Sequence, residues 1–217
     1  MLNIVDPTST ITQQSAPFTL VGNRGVLHKD NRIVRHADGD DWIYCITNAL
    51  EDPREFMAPR HYTDLFFLDE ATALAAGHRP CARCHRDRYA EFVTAWEHAH
   101  NGKAFQALAI DAELKSARTF RDRQRTFRAD VTALPSGVMI RTEGRTQPLL
   151  LVSHTPRNKK GDRAGKERWC VYPWTPHGYG LKEPRPEGMV EVLTPKPIVE
   201  TIRHGFVPGP THPLLAW

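Results

Sequence analysis

Cys81 and Cys84 are the residues of this chain whose spacing most directly implies chemistry. Two thiolates separated by two residues in a tight turn converge on one soft or borderline metal ion without strain. The pair follows Gly77, one histidine and an Arg79-Pro80 step, a pattern that is much narrower than a bare Cys-x-x-Cys. Because a closed zinc site has four ligands, the motif predicts half of a Zn²⁺ site and requires further ligands from elsewhere in the chain.

Three other cysteine motifs fit the same residues less well. With His85 the pair spells the c-type haem attachment sequence, but haem attachment needs export, and the N-terminal residues show no apolar segment behind a basic start. A thioredoxin-like pair opens a helix after a strand, whereas this pair follows a predicted helix. Pro80, Cys81 and Cys84 match the second half of the zinc deaminase signature, and the His-x-Glu half is missing.

Local patterns predict the elements that must position the motif. Asp69 is a suitable N-cap for a helix with Glu70 in its first turn, and Gly77 is suited to end that helix. After the motif, apolar residues at three- and four-residue spacing predict a helix over 88–100, and another helix is expected over 105–118. Strands are expected over 25–28, 32–35, 42–46 and 65–68, and the last of these directly precedes the first helix.

The second half of the chain reads differently. Alternating and apolar runs predict strands over 137–141, 149–152, 169–172 and 189–193, followed by a helix over 195–204. The sequence therefore predicts an α+β fold, in which a zinc-binding α/β module is followed by a small antiparallel β-rich domain with short helices. We place a flexible arm at 1–20, the zinc-binding domain at 21–102 and the β-rich domain at 103–217, with the boundary at Asn101-Gly102.

Composition limits the class of protein. The chain has 217 residues, of which 40% are hydrophobic and 25% are charged, as in soluble globular proteins. No run of about 18 apolar residues exists, so we expect no membrane span. We expect a cytoplasmic protein, where the four cysteines stay reduced. The formal net charge of +4 permits nucleic acid as a partner without requiring it.

The region around the motif also carries a family resemblance. It contains Phe66-Phe67, the Ala73-to-Gly77 run and Arg79-Pro80-Cys81-x-x-Cys84. Over roughly residues 42–88 the chain resembles the zinc-binding N-terminal domain of the bacterial Ada DNA-repair protein. The resemblance implies zinc binding, contact with DNA and a role in DNA repair. It also matches Trp42-Ile43-Tyr44-Cys45 to the family's acceptor strand, which makes Cys45 the third candidate ligand.

The fourth ligand is where the chain departs from the family pattern. The family's second cysteine lies four residues after the first, and Ala49 occupies that position here. His61 is our first candidate for the fourth position, followed by His28 and then His85, since a Cys₃His set is a normal zinc sphere. The plainer interpretation of Cys45 is a small buried apolar residue. Cys170, between aromatic residues on a predicted strand, is expected in the core rather than at a metal.

Basic residues fall into three groups that we predict to contact nucleic acid. Arginines interleaved with aromatics can bind phosphates and stack on bases, although basic loops are often simply solvated. The groups are Arg83, Arg86 and Arg88 beside the cysteine motif; Arg121, Arg123 and Arg125; and Lys159, Lys160 and Arg163.

Three functions remain open from the sequence. The first is a zinc-binding protein that contacts nucleic acid, expected to be DNA, with a mainly structural zinc. The second is a zinc-thiolate methyl acceptor that repairs DNA phosphotriesters through Cys45. The third is a nucleic-acid-processing hydrolase with a site between the two halves, which rests on the many histidines and an aromatic segment over 172–180. The sequence decides neither whether the protein is an enzyme nor its oligomeric state.

Overall fold

The computed structural model describes residues 1–47, 57–102, 106–120, 123–154 and 166–209. These residues form an α+β fold with two principal β-sheets and four short α-helices, as the sequence predicted. Among them, no helix combines the length and apolar character needed to cross a bilayer.

The first sheet has six strands, and two of its five neighbouring pairs are parallel. Its order is β2-β1-β7-β3-β6-β8, with β1–β7 and β6–β8 parallel and the other neighbours antiparallel. A separate hairpin, β4–β5, lies between β3 and β6 in the chain. The strands are β1 (Leu2–Val5), β2 (Ile11–Gln14), β3 (Leu20–Asn23), β4 (His28–Lys29), β5 (Arg32–Ile33), β6 (Ile43–Ile46), β7 (Leu65–Phe67) and β8 (Arg79–Pro80).

The second sheet is antiparallel and comes from the second half of the chain. Its order is β11-β17-β12-β13-β14-β15, with β16 also paired to β14. The predicted hairpin is present, since β12 and β13 pair directly. The strands are β9 (Thr119–Phe120) and β10 (Arg123–Gln124), which form a small hairpin, then β11 (Phe127–Asp130), β12 (Met139–Arg141), β13 (Leu149–His154), β14 (Arg168–Thr175), β15 (Gly178–Tyr179), β16 (Glu183–Pro184) and β17 (Met189–Val192).

Of the four α-helices, one lies between β7 and β8 in the chain, two link the first sheet to the second half, and one follows β17. Asp69 caps α1 as predicted, accepting a hydrogen bond from the Thr72 amide at 2.8 Å. Gly77 ends that segment with a φ of +85°, and an added Cβ would meet the Arg118 side chain at 2.9 Å, so a side chain is excluded there. The helices are α1 (Glu70–Ala75), α2 (Arg86–Ala99), α3 (Ala107–Arg118) and α4 (Lys196–Arg203), with a short 3₁₀ helix at Val131–Ala133.

One hydrophobic core crosses the boundary that the sequence suggested at residue 102. Val5 and Trp96 from the first half belong to the same buried cluster as Leu114 and Val192 from the second. Polar contacts join the halves as well, since the Tyr179 hydroxyl donates to Asp69 at 2.8 Å. In the described residues, therefore, the two halves share one core rather than each enclosing its own.

The segment expected to be a flexible arm is part of the first sheet. β1 lies between β2 and β7, and Ile4 and Val5 are buried. The buried Asn3 amide donates to the Asp64 carbonyl at 2.9 Å, which fixes the strand to the chain before β7. The alternating pattern is short and interrupted by polar residues, and its parallel partner lies about sixty residues away, so local sequence does not reveal it.

Candidate metal centre

Three cysteine sulfurs meet at one edge of the first sheet. The Sγ atoms of Cys45, Cys81 and Cys84 all lie within 4.8 Å of one another. Cys45 lies on β6, Cys81 directly follows β8, and Cys84 ends the turn that leads into α2. The sequence motif supplied two of these residues and the family resemblance supplied the third.

The parallel pairing of β6 with β8 brings the distant cysteine to the motif. Ile43 pairs with Arg79 and Tyr44 with Pro80, so one further step of the same register places Cys45 beside Cys81. The Cys81 amide continues the ladder by donating to the Tyr44 carbonyl at 2.9 Å.

Backbone amides point at the sulfurs of the turn. The amides of Cys84 and Arg83 donate to the Cys81 sulfur, and the amide of Ile46 donates to the Cys84 sulfur. The turn is closed by the His85 amide, which donates to the Cys81 carbonyl at 3.1 Å. Amide donors stabilise thiolates, so this backbone suits a metal-binding turn in which sulfur carries negative charge.

The three thiols influence one another's ionisation. The hydrogen bond from Cys45 and the two amide donors lower the pKa of Cys81 to about 4. The same hydrogen bond, together with burial, raises the pKa of Cys45. Burial raises the pKa of Cys84. The three sulfurs therefore lie close enough for each to shift the ionisation of the others.

The donor set fits zinc. Zinc–sulfur bonds of about 2.3 Å in a tetrahedron place sulfurs about 3.8 Å apart, which is compatible with three sulfurs that all lie within 4.8 Å. Three thiolates fill three of the four positions, and softer thiolate sets favour zinc over magnesium or calcium. The cluster is thus able to hold a metal ion.

His61, our first candidate for the fourth position, is not brought to the cluster. It lies exposed in the segment before Thr63, and its ring nitrogens fall outside the group of ligand atoms. His28 lies outside the group too, and its Nδ1 forms a hydrogen bond with the Thr63 hydroxyl at 2.7 Å. The position of His61 in the chain before β7 does not indicate which edge of the sheet its side chain faces.

His85 is the histidine nearest the motif in sequence, and it too lies outside the group of ligand atoms. Its Nδ1 is buried without a hydrogen-bond partner among the described residues, and its ring meets Tyr44 edge-on at 6.1 Å. Burial lowers the pKa of His85, so its ring is neutral. Ala49 lies outside the described residues. Cys170 is buried in the separate cluster between α1 and the second sheet, as expected for a core residue.

The buried Glu70 links the strand that carries Cys45 to the helix that follows Cys84. The sequence indicated only that Glu70 lies in the first turn of α1. The Tyr44 hydroxyl, next to Cys45, donates to Glu70 Oε1 at 2.5 Å. Arg88 of α2 donates from Nε and Nη2 to both oxygens of that carboxylate, at 3.0 and 2.6 Å. An acidic residue followed by an apolar run was the signal available in the sequence. The contacts fix the strand of Cys45 against the helix that follows Cys84.

The predicted basic groups differ in their availability. Arg83 and Arg86 are exposed beside the metal-binding turn, whereas Arg88 is committed to Glu70. Arg123 and Arg125 are exposed, and Arg125 also donates to the Ser116 carbonyl at 2.6 Å. The other predicted residues, Arg121, Lys159, Lys160 and Arg163, lie outside the described residues.

A cleft between the halves bears on the hydrolase alternative. It runs between α2, α3 and α4, and His100 and Glu113 line it. His100 Nε2 lies 3.0 Å from Glu113 Oε1, and its Nδ1 lies 2.8 Å from the Trp96 carbonyl. Both ring nitrogens therefore contact acceptor groups of the protein, which hold the ring between the end of α2 and α3.

Comparison of the chain with models of protein families, with curated proteins and with solved structures finds no match. The functional conclusion therefore rests on the geometry of the site.

Proposed function

We propose that the protein binds one Zn²⁺ through Cys45, Cys81 and Cys84 and that this zinc is mainly structural. The observation that carries the proposal is the convergence of three sulfurs from two distant parts of the chain within 4.8 Å. A bound zinc ion keeps its thiolate ligands deprotonated and ties them together.

The position of the centre supports a structural role. Among the described residues, β8 has two residues and lies at the edge of its sheet, where it pairs with β6. Metal bonds from Cys45 to Cys81 and Cys84 would hold this short edge strand and the start of α2 in place. Small metal sites commonly contribute folding free energy in this way.

The test is the zinc content of freshly purified, reduced protein, measured by native mass spectrometry. We expect one zinc per chain in the wild type and loss of that zinc in Cys81→Ser. Cys170→Ala is the matched control, because it removes a buried cysteine of the other core cluster and is expected to keep the metal. A folded wild-type chain that binds no zinc would refute the proposal.

We further propose that the surface beside the centre contacts nucleic acid. Arg83 and Arg86 are exposed on and directly after the metal-binding turn, where a fixed backbone would present them together. Arginines in such a position suit phosphate oxygens. Affinity for DNA falls as salt concentration rises. Removing one contact to a phosphate should reduce the slope of log K against log salt concentration by about 1.

Binding to duplex DNA at several salt concentrations tests this second part. The double variant Arg83→Gln with Arg86→Gln should bind more weakly and show a shallower salt dependence than the wild type. Lys182→Gln serves as the control, because Lys182 is an exposed charge between β15 and β16, outside the three predicted basic groups. Equal affinities and slopes for all three proteins would contradict a contact at this surface.

Methyl acceptance by Cys45 is a second candidate function, favoured by the incomplete donor set. Among the described residues only three ligands meet at the centre, which leaves a position next to Cys45 for a substrate oxygen. The Ada-like resemblance supports the same reading. The Cys45 sulfur would attack a methyl carbon of a phosphotriester, forming the S–C bond as the C–O bond breaks and the phosphodiester anion leaves.

Intact-protein mass spectrometry distinguishes this candidate. After incubation with DNA carrying methyl phosphotriesters, an acceptor gains the mass of one methyl group per chain, and Cys45→Ser gains none. The zinc content of the same samples is measured in parallel, so loss of metal is not mistaken for loss of acceptance. A wild type that binds zinc and stays unmethylated would rule out this candidate and leave the structural role intact.

A further inference from the structure

A second polar cleft lies between the β1–β2 turn and the β9–β10 hairpin, and none of the three cysteines of the thiol centre lines it. Its volume is about 530 Å³. Two exposed arginines, Arg35 and Arg123, line it together with His36. No acidic residue is among the described residues that line it. The remaining polar lining comes from Thr8, Ser9, Thr10 and Gln124.

A fully buried arginine lies directly behind this cleft. Arg24 is 0% exposed, and its Nη1 donates to the carbonyl of Ser9 at 3.1 Å and contacts His36 at 3.3 Å. Its Nε donates to Nε2 of His78 at 3.2 Å. Among the described residues no carboxylate lies within 4.0 Å of this guanidinium, and its Nη2 has no hydrogen-bond partner.

A second buried arginine adds to this positive charge. Arg118 is 2% exposed, and its guanidinium carbon lies 4.1 Å from the ring centroid of Trp42, the same distance as that of Arg24. Burial and the charge of Arg118 lower the pKa of Arg24 well below its ordinary value. Two buried cations thus share one indole, which attracts each of them but supplies no negative charge.

Asp6 offsets the charge of Arg24 incompletely. Asp6 interacts with Arg24 through space, but its Oδ1 accepts from the Thr8 amide at 2.8 Å, the Thr8 hydroxyl at 2.7 Å and the Thr10 amide at 3.0 Å. Burial raises the pKa of Asp6 above its ordinary value. Asp38 pairs with Arg35 at 3.0 Å, and both of these side chains are largely exposed, so the pair is weak and open to exchange.

We propose that this cleft binds a phosphate group, held by Arg35 and Arg123, with the buried Arg24 stabilising it through His36. Guanidinium groups from two separate segments of the chain suit the several oxygens of a phosphate. The cleft is large enough for a phosphate with an attached nucleoside. None of the cysteines lines this cleft, so the proposal goes beyond the proposed zinc function and can be tested independently of it.

The first experiment is a calorimetric titration of the full chain with inorganic phosphate at low ionic strength. We expect saturable binding to the wild type. Arg35→Gln and Arg123→Gln should each bind phosphate at least about tenfold more weakly than the wild type, because each loses a charge-assisted contact. Lys182→Gln is the matched control for one lost positive charge and should bind as the wild type does. All of these side chains are exposed, and circular dichroism checks the fold of each variant.

Two further ligands identify the source of the phosphate. Adenosine monophosphate and a short single-stranded oligonucleotide are titrated into the same four proteins. Tight binding of the mononucleotide with the same ranking of variants assigns the cleft to a free nucleotide, whereas that ranking with the oligonucleotide alone assigns it to a nucleic-acid backbone. Absence of saturable phosphate binding to the wild type, or equal affinities in all four proteins, would overturn the proposal.

Discussion

Arg79 and Arg24 are both buried arginines of the first sheet region, but their surroundings differ in one respect. Arg79 forms two parallel hydrogen bonds with Asp111 of α3, from Nε and Nη2, each at 2.7 Å. Although burial opposes it, this pairing raises the pKa of Arg79 above its ordinary value. Arg24 has carbonyl and histidine partners instead of a carboxylate, and its pKa is lowered well below its ordinary value.

The difference indicates two uses of a buried cation. The Arg79–Asp111 pair completes its own charge balance and fastens the edge strand of the metal centre to α3. At Arg24 the charge is balanced incompletely by the protein, next to a cleft that other arginines line. A paired cation of this kind serves the fold, and an underpaired one is suited to serve a ligand.

The largest effect is expected on the paired side of the comparison. Asp111→Ala leaves Arg79 as an uncompensated buried charge and should lower the free energy of unfolding by about 3–5 kcal/mol. Denaturant titration measures the change, and Asp87→Ala, at an exposed acid of α2, should cost less than about 1 kcal/mol. If Arg79→Met combined with Asp111→Leu is as unstable as Asp111→Ala, the loss does not come from an unpaired charge.

A smaller effect is expected on the underpaired side. Arg24→Met replaces a buried cation with an unbranched apolar side chain. Removing the buried charge should stabilise the fold, whereas losing the hydrogen bonds of Arg24 should destabilise it. Because the two effects oppose each other, we expect the free energy of unfolding to change by less than about 2 kcal/mol. Adding phosphate should raise the thermal midpoint of the wild type more than that of Arg24→Met. The comparison between the two arginines fails if Arg24→Met is as damaging as Asp111→Ala.

The smallest effect belongs to an ion pair at the surface of the second sheet. Arg141 donates to Glu191 at 2.8 Å, and this hydrogen bond lowers the pKa of Glu191. A lowered carboxyl pKa stabilises the fold above the ordinary glutamate pKa of about 4.3, and that contribution is lost as the pH falls through the folded-state value. Arg141→Gln should therefore lower the free energy of unfolding by at most about 1 kcal/mol at pH 7, and the difference from wild type should be smaller at pH 3.

Denaturant titrations at the two pH values give this difference directly. Lys182→Gln, an exposed charge without such a partner in the described contacts, controls for the change in net charge. A deficit of Arg141→Gln that is as large at pH 3 as at pH 7 would show that packing of the arginine stem, not the ion pair, stabilises this position.

The sequence revealed the features of this molecule that are local in the chain. The cap at Asp69, the turn at Gly77 and the Cys81–Cys84 spacing are each contained within a few residues, and all three appear as predicted. The role of the residues before 20 and the placement of His61 depend on pairing between distant strands, which local periodicity does not encode. Cys45 was found only through a family resemblance.

Arg118 shows why charge clusters read from sequence mislead. It lies three residues before the predicted phosphate-contacting group of Arg121, Arg123 and Arg125, yet its side chain is buried against Trp42. Arg24 was missed for the same reason, since one arginine between strands gives no sign of burial. A count of charges does not distinguish a guanidinium that faces solvent from one that packs on an indole.

Because β6 pairs with β8, loss of the proposed metal should weaken the backbone hydrogen bonds at one edge of the first sheet. The Arg79 amide donates to the Trp42 carbonyl at 3.1 Å and the Cys81 amide to the Tyr44 carbonyl at 2.9 Å, and no strand covers the outer side of β8 in the described sheet. Withdrawing zinc with a chelator would release these two amides to hydrogen exchange before the central strands open. The hydrogen-exchange rates of the Arg79 and Cys81 amides would then measure how much of the thiol centre is occupied by metal.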